Sequence, residues 1–246
     1  MIGELAGRAI LVTGAASGIG RAAALALQQA GARLALLDQA PVEQILAGFD
    51  PALSVAAQAD IADEGAIDAA VAGFDRHFGG LDGLVHAAGI FRSAPLVETA
   101  LADFTRVVEI NLTGTFLVVR AVVRSMRGHG RGGRIITLGS ELATLGRAEH
   151  AAYCAAKAGV AAMTRCWARE LAPDILVNTV APGPTDTPML DWPNMPDRWR
   201  SAELGNALGR IGQADEIASV IRFLAGPGAG FITGQTIGVD GGAVMR

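Results

Sequence analysis

The chain contains very few residues of several reactive types. Its 246 residues include one tyrosine, Tyr153, and one lysine, Lys157, against nineteen arginines, with two cysteines and four histidines. Two cysteines are too few for a disulfide framework or a cysteine-rich zinc site, and the histidines do not have the spacing of metal ligands. The sequence therefore predicts a protein without a metal site.

The chain also has only a small excess of one charge and no long apolar run. The net charge is -4 and no basic run is present, so neither nucleic acid nor an anionic membrane is expected as a partner; the densest basic stretch, Arg120 to Arg134, is interpreted as a helix end and exposed turn rather than a binding patch. No apolar stretch reaches the roughly 18 residues of a membrane helix, and the beginning, MIGELAGRAILVTG, does not resemble a signal peptide. We therefore expect a cytoplasmic protein. Because 51% of the residues are hydrophobic, a large folded core is expected.

Short apolar segments alternate with helical patterns along most of the chain. The strand candidates are Arg8–Thr13, Arg33–Asp38, Leu53–Gln58, Gly83–Ala87, Arg134–Leu138, Ile175–Val180 and Thr236–Val239. The helix candidates lie near Gly20–Ala30, Glu64–Phe78, Leu101–Arg127, Ala151–Leu171 and Ala214–Leu224. Strands that are apolar on both faces are typical of a parallel sheet covered by helices. The sequence predicts a single α/β domain over residues 1–246, with a doubly wound parallel sheet of about seven strands and helices on both faces.

One connection is long and rich in proline. Pro182–Gly209 contains five prolines, beside Trp192 and Trp199. Such long connections in a compact domain are usually binding loops or lids. We expect residues 186–209 to form a lid over a substrate.

A glycine-rich turn lies between the first strand candidate and the first helix candidate. Its candidate ligand contacts are Gly14, Ser17, Gly18, Ile19 and Gly20. Glycine lets the backbone approach a pyrophosphate, and the free N–H groups at a helix start carry a partial positive charge. A tight turn without a ligand is the alternative, but the position between strand and helix favours a dinucleotide site.

An acidic residue ends the second strand candidate. Asp38 lies eighteen residues after Gly20, where a carboxylate accepts hydrogen bonds from both hydroxyls of an adenosine ribose and repels a 2′-phosphate. Gln39 and Ser17 are uncharged, so no cation is placed to bind that phosphate. A solvated strand-end carboxylate is the alternative. As a cofactor residue, Asp38 favours NAD over NADP.

Tyr153 and Lys157 are four residues apart in a helix candidate, so they lie on one helix face. Oxidation of a secondary alcohol requires a base for the alcohol proton while hydride leaves for a nicotinamide. Tyrosine, with an unperturbed pKa near 10, is a weak base at pH 7, and a nearby ammonium favours the phenolate. We expect Lys157 to lower the pKa of Tyr153. A surface cation–π contact is the alternative.

Five features together resemble the short-chain dehydrogenase/reductase family over essentially the whole chain. They are the Thr13–Gly20 turn, Ala87-Ala88-Gly89, Asn111, Ser140 thirteen residues before Tyr153, and Pro182-Gly183 with Thr187. The resemblance implies a Rossmann fold in which Ser140 orients the substrate oxygen, Lys157 also holds the nicotinamide ribose, and Asn111 links the lysine to a proton relay. From the residues alone, the alternatives are a helix cap for Ser140 and a turn or kink residue for Asn111. The resemblance also implies cofactor contacts from Asp60, Ile61, Ala88, Gly89, Pro182, Gly183 and Thr187.

The chain departs from the family pattern at the fourth strand candidate. It reads His86-Ala87-Ala88-Gly89 where the family usually reads Asn-Asn-Ala-Gly. The two amides that link central strands are missing, so local packing must differ. We expect His86 to be a buried imidazole with satisfied hydrogen bonds rather than a catalyst.

Several stretches are further similar to the 2,3-dihydro-2,3-dihydroxybenzoate dehydrogenases. They are Asp38-Gln39-Ala40, Ala87–Ile90 followed by Arg92, Arg147 six residues before Tyr153, and Thr185-Asp186-Thr187-Pro188-Met189. This similarity implies that Arg92 and Arg147 pair with a substrate carboxylate, and Trp192 of the lid is a further candidate substrate contact. Exposed loop arginines are the alternative.

The sequence leaves three functions open and predicts one oligomeric state. The first function is an NAD-dependent dehydrogenase of small hydroxylated or cyclic substrates, a dihydrodiol carboxylate among them. The second is a 3-oxoacyl-carrier-protein reductase, against which Asp38 and the acidic balance count. The third is a regulatory nucleotide-binding module, against which Ser140, Tyr153 and Lys157 count. The helix candidates Leu101–Arg127 and Ala151–Leu171 are apolar on more than one face, which with the resemblance predicts a homotetramer.

Overall fold

A seven-stranded parallel sheet forms the centre of the structure, a computed structural model that describes residues 3–130 and 132–245. Its strands, with the order β3-β2-β1-β4-β5-β6-β9 across the sheet, are β1 Ala9–Thr13, β2 Arg33–Asp38, β3 Ser54–Gln58, β4 Gly83–His86, β5 Gly133–Leu138, β6 Ile175–Pro182 and β9 Thr236–Val239. Two further strands, β7 Thr185–Asp186 and β8 Gly212–Gln213, pair with each other apart from this sheet. The predicted α/β class and the seven predicted strands are confirmed, and the strand order is that of a Rossmann fold with one added edge strand.

Helices cover both faces of the sheet. They are α1 Gly18–Gln29, α2 Val42–Leu46, α3 Glu64–Phe78, α4 Leu101–Val108, α5 Thr115–Gly128, α6 Leu142–Leu145, α7 Ala151–Leu171, α8 Asp197–Glu203 and α9 Ala214–Ala225. Short 3-10 turns occur at Leu96–Glu98, Trp192–Asn194 and Pro227–Ala229. None of the described helices is long and apolar enough to cross a bilayer.

The two faces of the sheet belong to two separate apolar clusters. Val12 of β1 packs in the cluster that contains residues of α1 and α9, whereas its neighbour Leu11 packs in the cluster that contains residues of α3, α5 and α7. This division follows from the two-residue period of a strand, in which successive side chains point to opposite faces. Burial on both faces explains why the central strands β1 and β4 are mostly apolar, since each buried Leu or Val stabilises the fold by about 1.5–3 kcal/mol, whereas the edge strands β3 and β9 are only partly buried.

The helix predicted over Leu101–Arg127 is interrupted. A π-helical segment, Glu109–Gly114, separates α4 from α5. Within it, the side chain of Asn111 bonds to the backbone of Ile90, and the Thr115 hydroxyl donates to the Asn111 carbonyl at 2.7 Å. Gly114 lies so close to Ile61 that an added Cβ would stand 3.0 Å from the Ile61 side chain. These contacts to the loops after β3 and β4 explain why the helix does not continue regularly.

The strand order creates the position of the site. Because β1 and β4 are neighbours whose chains continue to opposite sides of the sheet, a crevice opens between the loops that follow their carboxyl ends. The segments after β1, β4, β5 and β6 begin at Gly14, Ala87, Gly139 and Gly183, and all four residues line one cavity.

Candidate active site

A cavity of about 690 Å³ lies at this edge of the sheet. It collects most of the predicted site residues, namely Gly14, Ser17, Gly18, Ile19, Gly20, Asp38, Ile61, Ala88, Gly89, Asn111, Ser140, Tyr153, Lys157, Pro182, Gly183 and Thr187. Four predicted residues, Asp60, Arg92, Arg147 and Trp192, are absent from its described lining.

The glycine-rich turn presents the beginning of α1 to the cavity. Within the described part of the chain, no side chain caps this helix and its first turn carries no acid, so its first N–H groups are available to an anion. Gly18 has a φ of +52°, and an added Cβ would stand 3.3 Å from the Thr187 side chain. At Gly14, with φ +69°, an added Cβ would stand 2.8 Å from the Ala88 nitrogen. The residues present therefore fit a pyrophosphate at the helix N-terminus.

Asp38 is held in place by the backbone around it. One carboxylate oxygen accepts from the Ala16 N–H at 3.0 Å and the other from the Ala40 N–H at 3.1 Å. A carboxylate has about four acceptor positions, so two remain for a ligand. Arg106, one of the cations that line the cavity, is bound by Asp60 and Glu109 at 3.0 and 2.9 Å, and Asp60 is also hydrogen-bonded to Gln39 next to Asp38. This environment fits a ribose better than a 2′-phosphate.

The structure does not bring Asp60 to the cavity. Its carboxylate accepts from the Ala62 N–H at 2.9 Å and pairs with Arg106, while Ala59 and Ile61 on either side line the cavity. The Asp60 side chain thus stabilises the turn that carries two lining residues, and its direct contact with the cofactor stays a prediction.

Ser140, Tyr153 and Lys157 meet where β5 ends above α7. The Lys157 ammonium is buried, donates to the Leu138 carbonyl at 2.8 Å, and lies 5.7 Å from the centre of the Tyr153 ring. The Ser140 hydroxyl accepts from the Leu142 N–H at 3.1 Å and donates to the Glu141 carboxylate at 3.0 Å. The serine oxygen and the phenol thus lie in one polar cluster with a cation beneath it.

The expected low pKa of Tyr153 is not found in the protein without a ligand. Burial, with a smaller contribution from the negative charge of Glu141, raises the pKa of Tyr153 above that of free tyrosine, although hydrogen bonding with Ser140 acts in the opposite direction. Burial also lowers the pKa of Lys157 to about 8, since a desolvated ammonium is destabilised. This direction arises because the phenol is desolvated and an acid lies beside Ser140. The lowering of the Tyr153 pKa by Lys157 stays a prediction for the complex with NAD.

Asn111 connects the loop after β4 to the helices. Its side chain is fully buried, accepts from the Ile90 N–H at 3.1 Å and donates to the Ile90 carbonyl at 2.8 Å. An added Cβ at Gly89 would stand 2.5 Å from the Asn111 oxygen and 3.7 Å from the Lys157 nitrogen. The asparagine therefore keeps the Gly89 backbone against the lysine.

His86 is buried, as expected, but only half of its hydrogen-bonding capacity is satisfied. Its Nδ1 atom lies 2.9 Å from the Thr13 hydroxyl, whereas Nε2 has no partner among the described residues. Burial and the charge of Lys157 lower the pKa of His86 to about 3, so the ring is neutral. Thr13 also accepts from the N–H groups of Ala87 and Ala88, both at 3.2 Å, and so supplies a link between the central strands.

Aromatic rings form one wall of the cavity beside Tyr153. The Phe91 ring lies 5.3 Å from that of Tyr153 and 4.9 Å from that of His150, which in turn lies 5.3 Å from the Trp199 ring. Trp199 of α8 thus lines the cavity, whereas Trp192, the predicted substrate contact, does not. Trp192 instead lies beside Arg200, whose guanidinium is 5.6 Å from its ring.

The two arginines expected to bind a substrate carboxylate are paired with acids of the chain. Arg147 forms a largely buried ion pair with Glu203 of α8, and Arg92 lies 3.6 Å from Asp103 on the exposed surface. Glu203 and Glu141 themselves line the cavity, and both are buried. Burial and the charge of Glu203 raise the pKa of Glu141 to about 7.

Several lining residues were not named as site residues from the sequence, among them Phe91, Glu141 and His150, and, within the predicted lid, Trp199 and Glu203. The one available signal was the position of Glu141 directly after Ser140, where an acid follows an apolar strand. The others come from loops and a short helix without a recognisable pattern. Among the described residues, no group of three or more His, Cys, Asp or Glu side chains is arranged to hold a metal ion.

Known proteins resemble the chain over nearly its whole length. The family model described as Enoyl-(Acyl carrier protein) reductase matches residues 14–244. A sorbitol dehydrogenase from Cereibacter sphaeroides is 37% identical over 98% of this chain and 99% of its own. A 3-oxoacyl-[acyl-carrier-protein] reductase from Thermotoga maritima is 38% identical over 98% of this chain and 100% of its own. The crystal structure of a dehydrogenase/reductase from Sinorhizobium meliloti superimposes with a TM-score of 0.91 at 40% identity, covering 98% of this chain and 96% of the other.

Proposed function

Because the chain belongs to the short-chain dehydrogenase/reductase family, and is thus an oxidoreductase of alcohols and ketones, we propose that it interconverts a secondary alcohol and its ketone with NAD. We further propose that the substrate is small, uncharged and polyhydroxylated. The observation that carries the reaction is the cluster of Ser140, Tyr153 and Lys157 beside the uncapped start of α1, within one cavity.

Each group has a role that its geometry supports. The glycine-rich turn binds the pyrophosphate, Asp38 the adenosine ribose, and Lys157 the nicotinamide ribose. Ser140 receives the oxygen of the reacting carbon, and Tyr153 takes its proton as the base. When bound, NAD supplies the hydride acceptor and a positive charge. Asn111 keeps the loop at Gly89 against Lys157, so that the cation stays beside the base.

The preference for NAD rests on Asp38. Its carboxylate is fixed by two backbone N–H groups, and the cation of the same region, Arg106, is paired with two acids. A 2′-phosphate placed there meets a negative charge without a compensating partner. NADP is therefore expected to bind less tightly than NAD.

The charge of the substrate end supports an uncharged substrate. Glu141 and Glu203 line the cavity, and Arg147 is already paired with Glu203. A carboxylate substrate, such as a dihydrodiol carboxylate, would meet Glu141 and the Arg147–Glu203 pair rather than two free arginines, and the lining residue Arg198 is itself 3.5 Å from Glu149. Sugar alcohols and cyclic diols suit a pocket of aromatic faces and carboxylates.

A second candidate function is reduction of a 3-oxoacyl group on a carrier protein. The 38% identity to such a reductase favours it. Asp38 and the acidic substrate end count against it, because such reductases normally use NADPH and dock an acidic partner.

Initial rates test the proposal. We expect oxidation of sugar alcohols or cyclic diols with NAD, little activity with 3-oxoacyl thioesters, and loss of turnover in Tyr153→Phe by at least a hundredfold, the lower end of general base catalysis. NAD affinity of Tyr153→Phe should be nearly unchanged, because the ring packing is kept. Full activity of Tyr153→Phe on a good substrate contradicts the mechanism.

Two further features belong to the same proposal. Residues 186–209 act as the lid, since Trp199 and Glu203 of α8 enclose the substrate end through contacts to His150 and Arg147. The chain also forms a homotetramer, because the side chains of Leu101, Phe104 and Phe116 on α4 and α5 are exposed in the single chain. Native mass measurement showing a monomer at micromolar concentration contradicts the assembly.

A further inference from the structure

We propose that Glu141 is a substrate-specificity residue, which binds the hydroxyl on the carbon next to the reacting carbon and so makes the enzyme prefer vicinal diols to simple secondary alcohols. The inference rests on the proposed function, because it takes Ser140 as the contact of the reacting oxygen. It assigns a use to a buried acid that the transfer of hydride and proton does not itself require.

The position of the carboxylate carries the argument. Glu141 directly follows Ser140, and its Oε2 atom lies 3.0 Å from the serine hydroxyl oxygen. In a vicinal diol with the two hydroxyls on the same side, their oxygens stand about one hydrogen-bond length apart. A substrate whose first oxygen contacts Ser140 therefore places its second oxygen within reach of the adjacent carboxylate.

The two charged residues that act on the Glu141 carboxylate, Arg147 and Glu203, leave this role to Glu141. Arg147 and Glu203 form a buried pair that satisfies both charges. Glu141 is 5% exposed and lines the cavity, and the hydrogen bond found for its Oε2 atom comes from Ser140. A carboxylate has four acceptor positions, so it retains capacity for a ligand hydroxyl.

A hydroxyl matches this acid better than a charged group does. The pKa of Glu141 is raised to about 7 by burial and by Glu203, so both protonation states are populated near neutral pH. An ionised carboxylate accepts a hydrogen bond from a hydroxyl, and a protonated one donates to it. A substrate ammonium binds only to the ionised form of Glu141, and a substrate carboxylate is repelled by that form.

The aromatic wall fits the same type of substrate. Phe91, His150 and Trp199 are arranged edge to face or tilted, and all three line the cavity with Glu141. Their faces contact the carbon skeleton, while the hydroxyl edge of the substrate is directed to Ser140 and Glu141. Polar and apolar sides of a cyclic diol thus have separate partners.

Relative kinetics provide the first test. The ratio of kcat/KM for cis-1,2-cyclohexanediol to that for cyclohexanol is measured with NAD, and likewise 2,3-butanediol against 2-butanol. We expect the diol to be favoured at least tenfold in the unmodified protein, a preference reduced to near unity in Glu141→Leu and partly kept in Glu141→Gln. Glu98→Gln, an exposed acid outside the cavity, is the matched control and should keep the full preference. An unchanged ratio in Glu141→Leu overturns the proposal.

Binding separates this inference from the reaction itself. In the Tyr153→Phe background with NAD present, titration calorimetry compares the diol with the mono-alcohol, before and after adding Glu141→Leu. Tighter diol binding that the second substitution removes supports Glu141 even if no alcohol is oxidised, in which case the proposed function fails alone. Equal binding of diol and mono-alcohol overturns the role of Glu141. So does tighter binding of cationic cis-2-aminocyclohexanol than of the diol at pH 8.

Discussion

Phenolate absorbance in this chain arises from one residue, because Tyr153 is the only tyrosine. Burial and the charge of Glu141 raise its pKa in the free protein. We therefore expect no phenolate signal below about pH 10, the usual pKa of tyrosine. Addition of NAD brings positive charge beside the ring and should bring the signal to lower pH.

The contribution of Glu141 follows from the geometry of Ser140. The serine hydroxyl bonds to the carboxylate at 3.0 Å and also interacts with the phenol, so the two ionisable groups are about two hydrogen bonds, or roughly 5–6 Å, apart. At an effective dielectric constant of about 20, repulsion at that distance costs the phenolate about 3 kcal/mol. Glu141→Gln removes this repulsion and should increase the phenolate fraction at a fixed pH about a hundredfold.

Ultraviolet difference titration measures the effect directly. Wild-type protein, Glu141→Gln, Lys157→Met and the control Glu98→Gln are titrated with and without NAD. Glu141→Gln should ionise at lower pH than the wild type, and Lys157→Met at higher pH, because a cation 5.7 Å from the ring is lost. A phenolate signal at pH 8 in the free wild-type protein, or identical titrations of wild type and Glu141→Gln, refutes the electrostatic account.

Three further predictions concern the cofactor, the lysine and stability. Asp38→Ala should reduce the preference for NAD over NADP at least tenfold in binding titrations, about 1.4 kcal/mol, and an unchanged preference removes Asp38 from the cofactor site. Lys157→Arg keeps the charge but not the compact ammonium that donates to Leu138, so kcat/KM should fall at least tenfold, and retention of full activity contradicts the buried-ammonium geometry. The pKa of Glu141 rises from 4.5 to about 7 on folding, so the wild type loses stability as the pH increases through that window. Glu141→Gln removes this loss. In urea unfolding, the substitution should therefore stabilise the fold by about 3 kcal/mol at pH 8 but hardly at pH 4.5. A constant difference across the range rules out linkage to Glu141.

The fold and the position of the glycine-rich turn could be predicted from the sequence because they depend on local rules. A strand buried on both faces must be apolar throughout, and that pattern located all seven strands of the sheet within one or two residues. The glycine with φ +52° that begins the uncapped helix α1 is also a local requirement, so the turn at Gly18 was predicted as a cofactor site. The pair of Tyr153 and Lys157 is fixed by the period of one helix.

The lining of the substrate end could not be predicted from the sequence, because its residues are positioned by partners that are distant along the chain. Arg147 was expected to face a substrate anion, yet it pairs with Glu203, 56 residues later and on the short helix α8. Trp192 and Trp199 lie in the same proline-rich connection, and the packing of Trp199 of α8 on His150 places that residue at the cavity. The π-helical segment at Asn111 likewise depends on the backbone of Ile90.

The position of Glu141 has a further consequence for turnover. Its charge opposes ionisation of Tyr153, and its burial costs folding free energy at neutral pH. A substrate hydroxyl that donates to the carboxylate stabilises and partly neutralises this charge, so the repulsion of the phenolate becomes weaker while the substrate is bound. A mono-alcohol leaves the charge uncompensated next to the base. We therefore expect the preference for vicinal diols to be expressed in kcat as well as in KM, and a difference confined to KM would mean that Glu141 contributes binding energy without assisting the base.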